Sequence, residues 1–177
     1  MVKYIIVLNG PICAGKTAVS KLLMKKDGVF HGSYDKIKWL VSNYSAENEL
    51  HRDISKEITF SAVLKAIQLG FSIVIDGGHK DYRDRYQKLA NEYNYVYLSV
   101  NIEAPLEILE KRFLERVACV KEKNNENIAV TTLENFNSRY KWYINTNKDP
   151  EGETFNSKEL TPEEIVIEIE KLIDTQK

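Results

Sequence analysis

Cysteine is scarce in this chain of 177 residues, and its two examples, Cys13 and Cys119, form neither a C-x-x-C pair nor a metal-ligand spacing. A disulfide framework and a structural zinc site are therefore excluded, and the thiols fit a reducing compartment. Long apolar runs are absent as well. No stretch of about 18 apolar residues occurs, which excludes a membrane-spanning helix. Excess charge of one sign is lacking too, with 25 basic against 26 acidic residues and a net charge of −1. No whole-molecule field therefore draws the protein onto nucleic acid or an anionic membrane. Internal repeats and low-complexity segments are missing. A β-rich run begins at Tyr4 and leaves no space for a secretory leader, so the expectation is a cytoplasmic protein without membrane attachment or a stable protein partner. What the chain does have is a hydrophobic content of 43%, enough at this length to bury the core of one domain spanning 1–177.

The most informative stretch is Gly10-Pro11-Ile12-Cys13-Ala14-Gly15-Lys16-Thr17, which reads G-x-x-x-x-G-K-T. An apolar, β-rich run (4–8) precedes it and a segment of helical character (18–23) follows, in the order a phosphate-binding loop requires. Successive backbone N–H groups must turn inward around a polyphosphate, and a side chain at Gly10 or Gly15 would obstruct that turn. Lys16 then supplies charge to the β- and γ-phosphates, Thr17 a hydroxyl to Mg²⁺, and the helix N-terminus its partial positive charge.

Downstream, the helix from the loop should stop near Lys26, before Asp27-Gly28. A short strand, 29–33, delivers Asp35 to the carboxyl edge of the sheet, where open α/β folds bind ligands; alternatively, Asp35 only caps the helix that follows. Residues 49–69 read as a helix with Ile54, Ile58, Ala62, Leu64 and Ile67 toward the core, and His51 and Arg52 near its start either reach a substrate or, as the favoured reading, are solvated surface. The nearly all-apolar strand 71–75 suits a parallel sheet buried on both faces. It ends at Asp76, which is either a metal-holding acid or a turn residue. A helix over 81–93 follows, with a tyrosine stripe (Tyr82, Tyr86, Tyr93) read as core. Lys80, Arg83 and Arg85 crowd its start and are candidates for an acidic substrate. Strand 95–100 leads to a helix bearing Arg112 and Arg116 on one face. The polar stretch 121–127 reads as a lid loop, with the lid as a whole over about 117–135. Arg139 lies on the returning helix, a short strand is expected at 154–156, and a capping box at Thr161 opens the last helix. The alternation implies a parallel sheet of about five strands with helices on both faces, a three-layer α/β/α fold.

The sequence resembles the small P-loop kinases of the group containing polynucleotide 5′-kinase, chloramphenicol phosphotransferase and zeta toxins, and more distantly the adenylate kinases. The resemblance covers nearly the whole chain. It rests on Gly10 to Thr17, Asp35, Ile73-Val74-Ile75-Asp76 with Arg83 downstream, Ala104-Pro105-Leu106-Glu107 leading to Arg112 and Arg116, and the ending from Ser157 to Glu164. It implies a sheet ordered 2-3-1-4-5, with ATP and Mg²⁺ as nucleotide and metal. By the same resemblance Asp35 is the general base on an acceptor hydroxyl, Arg112 lies against the adenine, Arg116 reaches the transferring phosphate and Arg139 closes on the phosphates. Thr17 and Asp76 would hold the metal, and Asp35, His79, Lys80 and Arg83 would meet the acceptor. The chain carries Asp76-Gly77-Gly78-His79-Lys80 where adenylate kinases usually have a proline and an arginine. The readings are a kinase acting on a hydroxyl of a small molecule or nucleic-acid 5′ end, a nucleoside monophosphate kinase, and a nucleotide-binding module that transfers nothing.

Overall fold

In the computed structural model of the chain, residues 2–45, 47–122 and 130–176 are described. Strand β1 (Tyr4–Asn9) is buried along its whole length because it is the middle of the sheet. It is followed by α1 (Lys16–Leu23), β2 (Val29–Ser33) and α2 (Tyr34–Ile37), with a 3-10 turn over Lys38–Leu40. Then come α3 (Glu49–Gln68), β3 (Ser72–Asp76), α4 (Lys80–Tyr93), β4 (Val96–Glu103) and α5 (Leu106–Glu122). Helix α6 (Leu133–Trp142) runs into a π-helical turn (Tyr143–Asn147), and β5 (Glu153–Asn156) and α7 (Pro162–Thr175) complete the order. The strands are parallel and ordered β2-β3-β1-β4-β5, the order the family resemblance implies.

Side chains alternate across a strand, and β1 divides the core accordingly. Tyr4, Ile6 and Leu8 join Val19 and Leu23 of α1, Leu109 and Phe113 of α5, Phe136 of α6 and Ile165, Ile169 and Ile173 of α7. Ile5 and Val7 face the opposite layer, with Val63, Ala66 and Ile67 of α3 and Tyr82, Tyr86, Leu89 and Ala90 of α4. The tyrosine stripe of α4 is thus core. Each such aliphatic or aromatic side chain contributes about 1.5–3 kcal/mol when fully buried. The Thr161 hydroxyl accepts from the Glu164 amide at 3.2 Å and the Glu164 carboxylate accepts from the Thr161 amide at 2.8 Å, so the capping box is complete.

Three expectations need correction. Helix α1 ends at Leu23 rather than near Lys26, and β4 extends to Glu103 rather than stopping at Val100. The core face of α3 is rotated: Ser55, Thr59, Val63, Ala66 and Ile67 are buried, whereas Ile54 and Ile58 are exposed. The Ser55 and Thr59 hydroxyls donate to the carbonyls of His51 and Ser55, both at 2.7 Å, which makes those polar residues fit to bury. The expected lid falls in part on 123–129, outside the described residues, while its first part belongs to α5 and its last to α6.

Candidate active site

The loop from Gly10 to Thr17 joins the end of β1 to α1. Gly10 has φ 150° and Gly15 φ 102°, and Cys13 between them also has a positive φ, 64°. At Gly10 a Cβ would collide with the Ile102 carbonyl oxygen at 2.2 Å, whereas at Gly15 it would meet nothing within 4 Å. The two glycines are therefore required for different reasons. Gly10 lets β1 approach β4, and Gly15 supplies a conformation that L residues rarely adopt. The Lys16 ammonium lies over the loop, donating to the carbonyls of Gly10 and Pro11 at 2.8 Å each. Enclosure by the loop lowers its pKa, and the carboxylates of Asp76 and Asp35 oppose that shift.

Asp76 arrives from the tip of β3, and its Oδ2 accepts from the Thr17 hydroxyl at 2.9 Å. This hydroxyl and carboxylate suit Mg²⁺, a hard cation that keeps several waters and takes the rest of its oxygens from phosphates. Among the described residues no group of three or more His, Cys, Asp or Glu could hold a metal by itself. Past Asp76 the chain turns against β1. A Cβ at Gly78 would lie 2.3 Å from Val7 Cγ1 and 2.9 Å from Asn9 Oδ1, so the β3–α4 loop can reach the P-loop only with glycine there.

Asp35 stands across from the loop. It is the second residue of α2, whose N-cap is Ser33, so capping is not its task. Lys38, three residues on and therefore on the same helical face, donates to Asp35 Oδ1 at 2.5 Å. The Lys38 side chain is 10% exposed and that of Asp35 72%, so the ammonium is buried beneath a carboxylate that opens outward. Surrounding protein raises the Asp35 pKa, but Lys38 chiefly, then Lys16 and His79, more than offset this and hold it below the ordinary aspartate value. His79 goes the other way. Burial first, then Lys56, push its pKa down to about 4, against the pull of Asp35 and Asp81, so its imidazole is neutral at pH 7.

One cavity of about 220 Å³ unites these groups, lined among others by Gly10, Lys16, Asp35, Lys38, His79 and Arg139. Two larger surface grooves, about 500 and 730 Å³, touch no residue of the P-loop. Lys80 and Arg83 line the first of these rather than the cavity. Arg83 is buried, donating to the Asn147 carbonyl at 2.6 Å and lying 3.9 Å from Asp149. Arg85 is held by Glu57 at 2.6 Å and stacks on Phe60 and Tyr82. The three cations expected to meet an acidic acceptor are thus outside the cavity, whereas Arg52, expected at the solvated surface, lines it. Arg112 donates to the hydroxyl and carbonyl of Ser157 at 2.9 and 2.7 Å and to the Cys13 carbonyl at 3.4 Å, which sets it against the outer side of the loop. Arg116 is exposed on α5, near enough to Lys16 for its charge to act on that ammonium.

A family of proteins described as an AAA domain, AAA_18, matches residues 6–134, the segment from β1 to the start of α6. The chain belongs to this family. No curated protein matches it. Among solved structures, this AAA-family chain is similar to a provisionally named kinase from Chloroflexus aurantiacus, with 15% identity, a TM-score of 0.70 and coverage of 97% of this chain and 98% of that one. The APS kinase of Mycobacterium tuberculosis, in complex with AMPPNP and APS, aligns at 15% identity and TM-score 0.64 over 98% of both chains. The tunicamycin resistance protein of Deinococcus radiodurans aligns at 13% identity and TM-score 0.62, over 97% of this chain and 95% of that one. At these identities the likeness fixes the fold: a kinase-like P-loop domain.

Several residues of the site carry no motif and were not foreseen. Tyr34, Tyr44 and Trp142 line the cavity beside Asp35 and His79. Asn147, which is buried, donates to the Gly78 carbonyl and accepts from the Lys80 amide, both at 2.9 Å. It ties the turn after α6 to the β3–α4 loop. Lys38 alone had a readable signal, its spacing of three from Asp35 at the start of a helix.

Proposed function

We propose that the protein is an ATP-dependent kinase that transfers the γ-phosphate of ATP to a hydroxyl of a small molecule or of a nucleic-acid 5′ end. The observation that carries the reading is the Asp35 carboxylate. It lines the cavity that holds the Lys16 end of the P-loop, where its Oδ1 accepts from Lys38. Commitment of Arg83 and Arg85 to Asn147 and Glu57 argues against a nucleoside monophosphate as acceptor. The reading takes 1–177 as one domain with its lid over about 117–135, working in the reducing cytoplasm without membrane attachment.

In this mechanism Asp35 accepts the hydrogen bond of the acceptor hydroxyl and aims its oxygen at the γ-phosphorus. As the new P–O bond forms, the bond to the β–γ bridging oxygen breaks and the hydroxyl proton passes to Asp35 and on to water. The transition state is loose, so orientation and charge stabilisation supply most of the acceleration. A depressed pKa suits Asp35 to that task, since it stays ionised and ready to accept. Lys16, swinging from the Gly10 and Pro11 carbonyls, and Arg116 and Arg139 from the lid side would meet the charge on the phosphate oxygens, and Arg112 would flank the base of the nucleotide. Mg²⁺, held by the Thr17 hydroxyl and by Asp76 directly or through water, would neutralise the phosphates.

The test is a transfer screen with γ-labelled ATP and Mg²⁺ against nucleosides, sugars, hydroxyl-bearing antibiotics, 5′-hydroxyl oligonucleotides and nucleoside monophosphates. Asp35→Asn should keep ATP binding and lose about 10²–10⁴ in kcat, the usual reach of a positioned acid or base. Full activity in the variant would refute the role of Asp35. Transfer to monophosphates alone would move the protein to the nucleotide kinases, and tight ATP binding with no transfer would make it a regulatory module.

A further inference from the structure

The wall of the cavity around Asp35 is made of rings that do not belong to the core. Tyr34 meets His79 edge to face, with centroids 4.7 Å apart and planes at 76°. His79 in turn faces Trp142 at 6.3 Å. On the other side the Tyr34 and Tyr44 hydroxyls are 2.6 Å apart, and Trp39 backs Tyr44 at 6.1 Å. These rings come from three separate places, the stretch 34–44, the β3–α4 loop and the end of α6. Trp142 is 40% exposed and Trp39 43%, so neither belongs to either of the two core clusters, whereas Tyr82 and Tyr86 of α4 do. Rings that an ordinary fold would bury are gathered instead around the group that takes the acceptor hydroxyl.

The rings themselves carry little charge, although Lys16, Arg52 and Arg139 line the same cavity. His79 is neutral at pH 7, burial and the Tyr44 hydroxyl raise the pKa of Tyr34 and keep it protonated, and Lys38 is matched by Asp35. The space is about 220 Å³, roughly seven waters' worth at about 30 Å³ each. Gly10, Pro11, Ile12 and Lys16 of the P-loop line the same space, so an acceptor shares it with the transferring phosphate.

Building on the kinase reading, we propose that the acceptor is a small compound in which a flat unsaturated ring, set against Trp142, His79 and the Tyr34–Tyr44 pair, carries the hydroxyl that reaches Asp35. Ring contacts with aromatic walls are worth about a two- to tenfold change in affinity each beyond simple burial, and they select for a π face without demanding a particular base or substituent. A ring-free polyol has no such face to offer.

The experiment measures binding directly, with the nucleotide site filled by a non-hydrolysable ATP analogue and Mg²⁺. Phenethyl alcohol and uridine serve as ring-bearing hydroxyl probes, glycerol as the ring-free probe and a 5′-hydroxyl oligonucleotide as the polymer. The two ring probes should quench tryptophan fluorescence saturably, Trp142→Ala should weaken them about two- to tenfold, and Trp142→Phe should restore most of the affinity. Glycerol bound as well as uridine, or ring probes indifferent to Trp142→Ala with Trp142→Phe unchanged, would overturn the proposal. So would the oligonucleotide binding more than tenfold tighter than uridine. Because binding is read without turnover, ring probes that bind while nothing in the transfer screen accepts phosphate would sink the kinase reading and leave the ring site standing. Transfer to ring-free polyols alone would do the reverse.

Discussion

Replacing Gly10 by alanine tests whether the phosphate-binding loop is held by a close approach or only by backbone conformation. A Cβ there would lie 2.2 Å from the Ile102 carbonyl oxygen and 3.3 Å from its carbon. That carbonyl belongs to β4, which is paired with β1 on one side and β5 on the other, so it cannot turn away as a side chain would. The strands must separate, or the loop must leave β1 along another path. Strain from the φ of 150° costs about 1–3 kcal/mol, and over-packing another 1–3 kcal/mol or so. The expected loss of about 2–6 kcal/mol is large beside a total stability of about 5–15 kcal/mol. At about 2–4 °C per kcal/mol for a chain of this size, Tm falls by roughly 4–24 °C. Gly15→Ala is the control. It carries the strain of φ 102° with nothing within 4 Å of the new Cβ, so it should cost about 1–3 kcal/mol and roughly 2–12 °C. Calorimetry of the two variants beside the wild type decides the matter. If Gly10→Ala melts at or above Gly15→Ala, the approach of the loop to β4 contributes nothing and the reasoning fails.

Two further predictions concern pH and the last helix. Asp35 is held below its ordinary value of 3.8 and His79 at about 4, so neither should give kcat/KM for phosphotransfer an acid limb above about pH 5; a limb near the ordinary histidine value would mean that the imidazole is not desolvated. His79 binds its proton more weakly in the folded than in the unfolded chain, so stability should fall between pH 7 and pH 5 as the unfolded state takes up protons, a trend that calorimetry on His79→Asn should show reduced. Thr161→Ala breaks the capping box of α7 at about 1 kcal/mol, which should lower Tm by about 2–4 °C; an unchanged melt would mean that α7 is held by its core face alone.

The donor half of the site was legible because its chemistry is written in consecutive residues. The glycines, Lys16 and Thr17 sit in one loop, and Asp76 ends a strand whose apolar run marks it as buried on both faces. The order of the strands came with the family resemblance, since nothing in local pattern says which strand lies beside which. The face of α3 was misread because hydropathy ranks Ile54 and Ile58 above Ser55 and Thr59. Yet a hydroxyl satisfied by the carbonyl four residues back costs little to bury, and contact with β2, not hydropathy, set the rotation. Arg83 looked like a substrate cation for a comparable reason. Its partner is the carbonyl of Asn147, 64 residues away, and no spacing rule reaches that far. The ring wall was invisible for the same cause, since Tyr34, His79 and Trp142 become neighbours only when the sheet closes.

That closure also links the two halves of the site. Arg139 and Trp142 are three residues apart on α6, hence on one face, and both line the cavity. Directly after Trp142, the turn ending in Asn147 is fastened to the β3–α4 loop at Gly78 and Lys80, the loop that carries His79. In the proposed reaction the arginine serves the phosphates and the tryptophan serves the acceptor. A single rigid helix bears both, so the geometry that seats a ring beside Asp35 is the geometry that presents Arg139 to the transferring group. On this argument the wall and the charge needed for transfer are positioned together, by one helix fastened at Gly78 and Lys80.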